Sequence, residues 1–153
     1  MQTEQQLDQQ LCFALYTAAK SATAAYRDGL SELGLTYTQY VTLLALWERD
    51  ARTVTDLGAT LHLDSGTLSP LLKRLAAHGL VERKREGRDG RAVTIHLTDA
   101  GRDLQSQVAT IQRRLYDAVD MDADEVATLR RLAQLFSRSA TNLTDTTTTE
   151  GAR

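Results

Sequence analysis

Apolar positions recur at spacings of three and four over most of the chain, which predicts helices, and one stretch switches to near alternation, which predicts strands. Leu7, Leu11, Leu15, Ala18, Ala22 and Ala25 share one face of a helix over about 4–33, with Gly34 as its stop. TYTQYVTLLALWERD follows as a second helix, with Thr36 at its N-cap and Tyr40, Leu43, Leu44 and Trp47 as its apolar stripe. Thr53 or Thr55 caps a short helix that ends at Leu61, and a tight connection over 62–64 leads to the next. That helix starts at 65–67 and carries Pro70 in its early turns with one backbone hydrogen bond lost. It ends near His78, with Gly79 as its C-terminal glycine. LVERKRE and RAVTIHLT then read as two strands around a GRDG turn. Helix returns from Thr98 or Asp99, with Leu104, Val108, Ile111 and Leu115 in register. A last helix starts near Asp122 and carries Val126, Leu129, Leu132, Leu135 and Phe136. Acidic residues over 120–124 load its N-terminus and suit the helix dipole.

The class predicted is mainly α with a two-stranded β wing, as one domain over about 1–142. Helices over about 4–33 and 99–142 flank a helix–turn–helix with wing over about 36–98. The threonine-rich stretch 143–153 reads as a disordered tail. Composition agrees: of 153 residues 42% are hydrophobic, enough for a core, and there is a single proline. No apolar run approaches the roughly 20 residues of a membrane span. MQTEQQLDQQ has neither the basic nor the apolar part of a signal peptide, so a soluble cytoplasmic protein is expected. One cysteine excludes an intrachain disulfide and every multi-cysteine metal site. The three histidines show no ligand spacing, and nothing implies a metal or cofactor.

Net charge, −2 from 18 basic and 20 acidic residues, argues against nucleic acid as a partner. Its distribution reverses that reading. Lys73, Arg74, Arg83, Lys84, Arg85, Arg88 and Arg91 face only Glu82, Glu86 and Asp89 over the same stretch. A local excess is what a phosphate backbone meets. A charge run alone is usually a solvated surface. This one falls on a second helix plus hairpin, the elements that enter DNA grooves. Ser65, Gly66, Thr67, Ser69 and Pro70 open the reading helix, where hydroxyls can donate or accept at base edges. Lys73 and Arg74 lie further along it, within reach of phosphate or guanine. Arg85, Arg88, Asp89 and Arg91 carry the wing toward the minor groove or the backbone, and Arg91 can also pair with Asp89 to shape the tip.

A lone helical cysteine is usually a small buried hydrophobe. Against that, Tyr16 lies one turn after Cys12 on the same face. Three more of the five tyrosines, Tyr26, Tyr37 and Tyr40, also fall in the first 40 residues. Phenolic donors favour a thiolate. For Tyr40 the ordinary core role is the better reading.

The region from about Leu7 to Leu104 resembles the MarR family of winged helix–turn–helix regulators, whose wing signature Asp-x-Arg is present as Asp89-Gly90-Arg91. LCFALYTAAK, LGLTYTQYVTLLALWE and LDSGTLSPLLKRL are similar to the organic-hydroperoxide-sensing OhrR subgroup. The resemblance implies a homodimer built from the first and last helices, bound to a pseudo-palindromic double-stranded DNA operator. It implies Cys12 as the peroxide-reactive residue, held by Tyr26 and Tyr37, with Tyr16 reaching across from the partner subunit. Unlike two-cysteine members, this chain has no resolving cysteine. A sulfenic acid at Cys12 would meet a low-molecular-weight thiol, form a sulfenamide or over-oxidise. The function expected is a repressor that releases its operator when organic hydroperoxide oxidises Cys12. Two rivals are a repressor released by a small phenolic ligand without cysteine chemistry, and a thiol peroxidase enzyme.

Overall fold

Helix α1 spans Leu11–Glu32, and a short 3-10 turn, Leu7–Gln9, precedes it. The single first helix expected over about 4–33 is therefore broken at Gln10, whose backbone is extended. The computed structural model describes residues 6–86 and 92–150. Within them follow α2 (Tyr37–Glu48), β1 (Arg52–Thr53), α3 (Val54–Leu61), α4 (Ser65–Ala77), β2 (Val81–Glu86), β3 (Ala92–Leu97), α5 (Asp99–Ala118) and α6 (Ala123–Glu150). They form two compact units, one of Met1–Ala19 with Asp117–Arg153, the other of Lys20–Tyr116.

The second unit holds the core. Tyr26 and Leu30 of α1, Leu43 and Leu46 of α2, Leu57 of α3, Leu68, Leu72 and Leu75 of α4, Ile95 and Leu97 of β3, and Leu104 and Val108 of α5 are all buried there. The local signals behave as read. Gly34 and Gly79 end α1 and α4 with φ of 69° and 71°. Each is followed by an amide that reaches back five residues, Leu35 to Leu30 and Leu80 to Leu75. Thr36 and Gln39 close a reciprocal capping box on α2. Thr53 caps α3 and Thr98 caps α5.

Wing strands β2 and β3 pair antiparallel from Val81↔Leu97 to Glu86↔Ala92. The sheet nevertheless has three strands, in the order β1-β3-β2, because Arg52 and Thr53 pair with Ile95 and Thr94. A two-residue strand carries no alternation to read. Its position is set by the Arg52 side chain, which is 7% exposed and runs into the unit. Nε bonds Asp56 at 2.6 Å, one terminal nitrogen bonds Thr60, and the other reaches the Ala45 carbonyl at 3.4 Å. These bonds tie the end of α2 to α3.

The hydrogen bond from Arg52, helped by Arg49, holds the Asp56 carboxyl below the usual carboxylate range. A depressed folded-state pKa stabilises the fold above the unfolded carboxylate pKa, and that contribution is lost as pH falls through the folded value. Acid titration of thermal stability should therefore fall less steeply below the ordinary carboxylate range in Asp56→Asn than in the parent. Parallel curves would remove this assignment.

The first unit is different in kind. Its apolar residues Leu7, Leu11, Leu129, Leu132 and Leu135 are exposed, with Leu129 at 49%. Helix α6 continues to Glu150, so the stretch 143–150, read from composition as disordered, is helical. Once a helix is nucleated, each added residue needs to fix only its own backbone for one further hydrogen bond.

Candidate DNA-reading face and sensor residues

Helices α3 and α4 meet through a short turn in which His62 is left-handed, with φ of 53°. The Leu63 amide bonds the Gly58 carbonyl at 3.0 Å. Helix α4 then buries Leu68, Leu71, Leu72 and Leu75 and leaves its other face outward. On that face Ser65, Gly66, Thr67, Pro70, Lys73 and Arg74 are exposed and Ser69 is half-buried. Pro70 is the sixth residue of the helix, past the turn whose amides need no partner, so one helical bond is absent as expected.

The cap of α4 is Asp64, a residue not singled out in the sequence although Asp is a favoured N-cap. Its carboxylate accepts from the Thr67 amide and from the Thr67 hydroxyl, both at 2.9 Å. These bonds hold Asp64 below the usual carboxylate range. They also alter the role read for Thr67. Its hydroxyl proton is committed to Asp64, so toward a base edge it can only accept.

The wing adds cations. Arg83, Lys84 and Arg85 are exposed on β2, and only Arg85 was expected as a contact. Lys84 pairs with Glu82 at 2.6 Å, which holds Glu82 below its usual range and reduces the acidity of this strand. Arg88, Asp89 and Arg91, expected at the wing tip, lie outside the described residues. At the wing root, Asp50 accepts from the Leu97 amide at 2.8 Å and pairs with Arg102 at 2.6 Å.

The expected sensor residues fall in both units. Cys12, in the first turn of α1, is exposed. Tyr16 stands one turn on, 62% exposed, with its ring stacked on Phe13 at 6.5 Å. In the second unit the structure brings Tyr26 and Tyr37 together, with ring centroids 5.6 Å apart. Tyr40 joins them at 5.2 Å from Tyr26 and 5.8 Å from Tyr37. Burial pushes the phenols of Tyr26 and Tyr40 above the ordinary range, so both remain protonated donors. The role read for Tyr40, a core aromatic, omits one feature. Its hydroxyl also bonds Gln112 of α5 at 2.5 Å, across 72 positions of sequence that no local pattern connects. Among the described residues no group of three or more metal-ligating side chains occurs, and no helix is long and apolar enough to cross a membrane.

Two helices joined by a left-handed turn, a capped outward-facing second helix and an antiparallel hairpin define a winged helix–turn–helix, the class of the DNA-reading transcriptional regulators. The family model "Transcriptional regulator SarA/Rot" matches residues 24–108. The HTH-type transcriptional regulator TtmR of Methylorubrum extorquens is 48% identical over 121 residues, 79% of this chain. This chain spans 62% of TtmR's length. The organic hydroperoxide resistance transcriptional regulator of Bacillus subtilis is 46% identical over 105 residues, 69% of this chain and 71% of that one. The structure of reduced AbfR bound to DNA superimposes with a TM-score of 0.79 at 33% identity, covering 94% of this chain and 99% of that one. The chain belongs to the SarA/Rot and MarR-like family of winged-helix transcriptional regulators. These relatives are regulators rather than enzymes, and this chain is a transcriptional regulator in their class.

Proposed function

We propose that this chain is a homodimeric cytoplasmic repressor that binds a pseudo-palindromic operator and releases it when organic hydroperoxide oxidises Cys12. Ser65, Gly66, Thr67, Ser69 and Pro70 enter the major groove, with Lys73 and Arg74 behind them. Arg85, Arg88, Asp89 and Arg91 carry the wing along the neighbouring backbone and minor groove. The observation that carries the sensing half is that the chain's single cysteine is exposed, in a regulator 46% identical to one named for organic hydroperoxide resistance. The exposed apolar faces of α1 and α6 support the dimer, since a two-fold copy would cover them.

The chemistry closes on named species. The Cys12 thiolate attacks a peroxide oxygen, an S–O bond forms and the O–O bond breaks. Sulfur loses two electrons, and the departing alkoxide takes a proton from water to become the alcohol. The sulfenic acid then condenses with a low-molecular-weight thiol, forming a mixed disulfide with loss of water. Tyr16, Tyr26 and Tyr37 are the candidate phenolic donors that favour the thiolate in the assembled dimer.

The test is binding to double-stranded DNA from upstream of the gene. Each protomer presents five described cations at the face, Lys73, Arg74, Arg83, Lys84 and Arg85. A dimer making about six to ten phosphate contacts should lose roughly a thousandfold or more in affinity between about 50 mM and about 200 mM salt. Organic hydroperoxide should release the DNA, and a reducing thiol should restore it. Binding indifferent to hydroperoxide would end this reading.

One observation favours a second reading. A groove of about 490 Å³ between α2 and α5 is lined by Val41, Leu44, Ala45, Trp47, Glu48 and Gln105. It could take a small phenolic ligand that releases DNA without cysteine chemistry.

A further inference from the structure

The start of α4 is bonded more extensively than a helix cap requires. One bond to an orphan amide makes an N-cap, and Asp64 makes it by accepting from the Thr67 amide. Through its other oxygen the same carboxylate also accepts from the Thr67 hydroxyl, at 2.9 Å. Gly66 leaves room for this, since a Cβ there would lie 3.0 Å from the carboxylate oxygen that takes the amide. The two bonds, the amide's first, hold the Asp64 carboxyl below the usual carboxylate range, so at neutral pH it is ionised and can only accept. A hydroxyl has one proton and two lone pairs, and ordinarily donates or accepts as its partner demands. Asp64 removes that choice from Thr67.

Thr67 is the third residue of α4 and is exposed on its outward face. In the major groove guanine and thymine present keto oxygens, O6 and O4, whereas adenine and cytosine present amino donors, N6 and N4. An oxygen that can only accept bonds an amino group. Against a keto oxygen it sets lone pair against lone pair. Where the helix has expelled water, both oxygens are then left unpaired, which is costly. Every base pair carries one amino and one keto group, so the choice is between strands: it concerns which base of the pair lies opposite Thr67, and does not separate A·T from G·C.

We propose that Thr67 is a specificity-determining residue of the operator contact and that Asp64 sets its sense: the pair selects adenine or cytosine over guanine or thymine at one position of each half-site. This rests on the reading of α4 as the helix that enters the major groove, and is independent of Cys12. Asp64 is a positioning residue here. It acts through Thr67, by holding its proton.

The experiment selects a consensus operator from random duplex DNA with the reduced, full-length protein. Every single-base change is then made symmetrically in both half-sites. Affinities are measured for the parent, Thr67→Val, Thr67→Ser and Asp64→Asn, with thermal melting alongside. The parent should show one half-site position at which replacing an amino base by a keto base costs roughly tenfold per half-site, the size of one mismatch. Thr67→Val keeps the shape and removes the hydroxyl, so it should flatten that position and leave the others as they were. Thr67→Ser keeps the hydroxyl and should keep the preference. Asp64→Asn is the most discriminating variant. Asparagine is as good an N-cap as aspartate, so melting should change little. Its carbonyl accepts from the Thr67 amide, its NH2 donates to the Thr67 oxygen, and the Thr67 proton is released toward the groove. The preference at that position should invert toward guanine or thymine, a result that a capping role does not give. Losing a carboxylate beside the phosphates strengthens binding to all sequences alike, so it leaves the ratio between bases untouched. Identical preferences in the parent and Thr67→Val, with sequence selectivity retained, would overturn the proposal and leave the reading helix in place. An Asp64→Asn protein that keeps the amino preference, or that only loses affinity in step with melting temperature, would also overturn it. If no duplex were enriched over random DNA, the reading of α4 and the proposal would both fall.

Discussion

Cys12→Ser is expected to hold its DNA through a dose of organic hydroperoxide that strips the parent. Serine is close to cysteine in size, and position 12 is exposed in the first turn of α1, so neither core packing nor the reading face is disturbed. Reduced-state affinity should match the parent. The hydroxyl is not ionised near neutral pH and cannot form a sulfenic acid, so the first step is removed rather than slowed. The parent should lose at least tenfold in affinity on oxidation, about 1.4 kcal/mol, and Cys12→Ser essentially none. Intact mass provides the second readout. With one cysteine in the chain, the oxidised parent cannot form an intrachain disulfide. It should gain one small thiol when one is supplied, and oxygen when none is. Equal release of DNA from both proteins would assign the response to a ligand, with the groove lined by Trp47 and Leu44 as the next place to look.

Gly101→Ala should have the largest effect on the fold. Gly101 sits in the first turn of α5, where a Cβ would overlap the carbonyl oxygen of Leu80. That oxygen is backbone and cannot swing aside. It also accepts the Thr98 amide at 3.1 Å, at the junction of β3 and α5. Gly101 is held from two further directions, its amide by Thr98 at 3.0 Å and its carbonyl by the Trp47 indole at 2.9 Å. Relief of the overlap must move α5 away from the wing root and break some of these bonds. Overpacking that shifts backbone costs about 1–3 kcal/mol, and the lost hydrogen bonds about 1 kcal/mol each. A loss of at least about 3 kcal/mol is a large share of the stability of a domain this size. Gly34→Ala is the control: its φ is left-handed, but nothing lies within 4 Å of an added Cβ. It should lose only about 1–2 kcal/mol, the backbone contribution. Denaturant melts decide, and a Gly101→Ala protein as stable as Gly34→Ala would mean the junction is slack.

What the chain determines by itself is what neighbours within a turn can specify. The capping box at Thr36 and Gln39, the caps at Thr53 and Thr98, the left-handed stops at Gly34 and Gly79, and the alternation in RAVTIHLT are local. Each was legible because its partner is at most five residues away. The reading helix was legible for the same reason, since its buried leucines and outward hydroxyls and cations follow one 3.6-residue period. Where packing decides, the sequence is silent. Strand β1 is too short to alternate and exists because Arg52 is anchored beneath it. Helix α6 continues through 143–150, although composition there reads as disordered. Gly101 looks like any helical glycine until the Leu80 carbonyl is laid against it. The proton of Thr67 is spent on Asp64, and the hydroxyl of Tyr40 finds Gln112 on another helix, 72 residues away. Periodicity fixes which face of a helix is apolar. Which polar atom meets which depends on how those faces stack, and that is fixed only when the core closes.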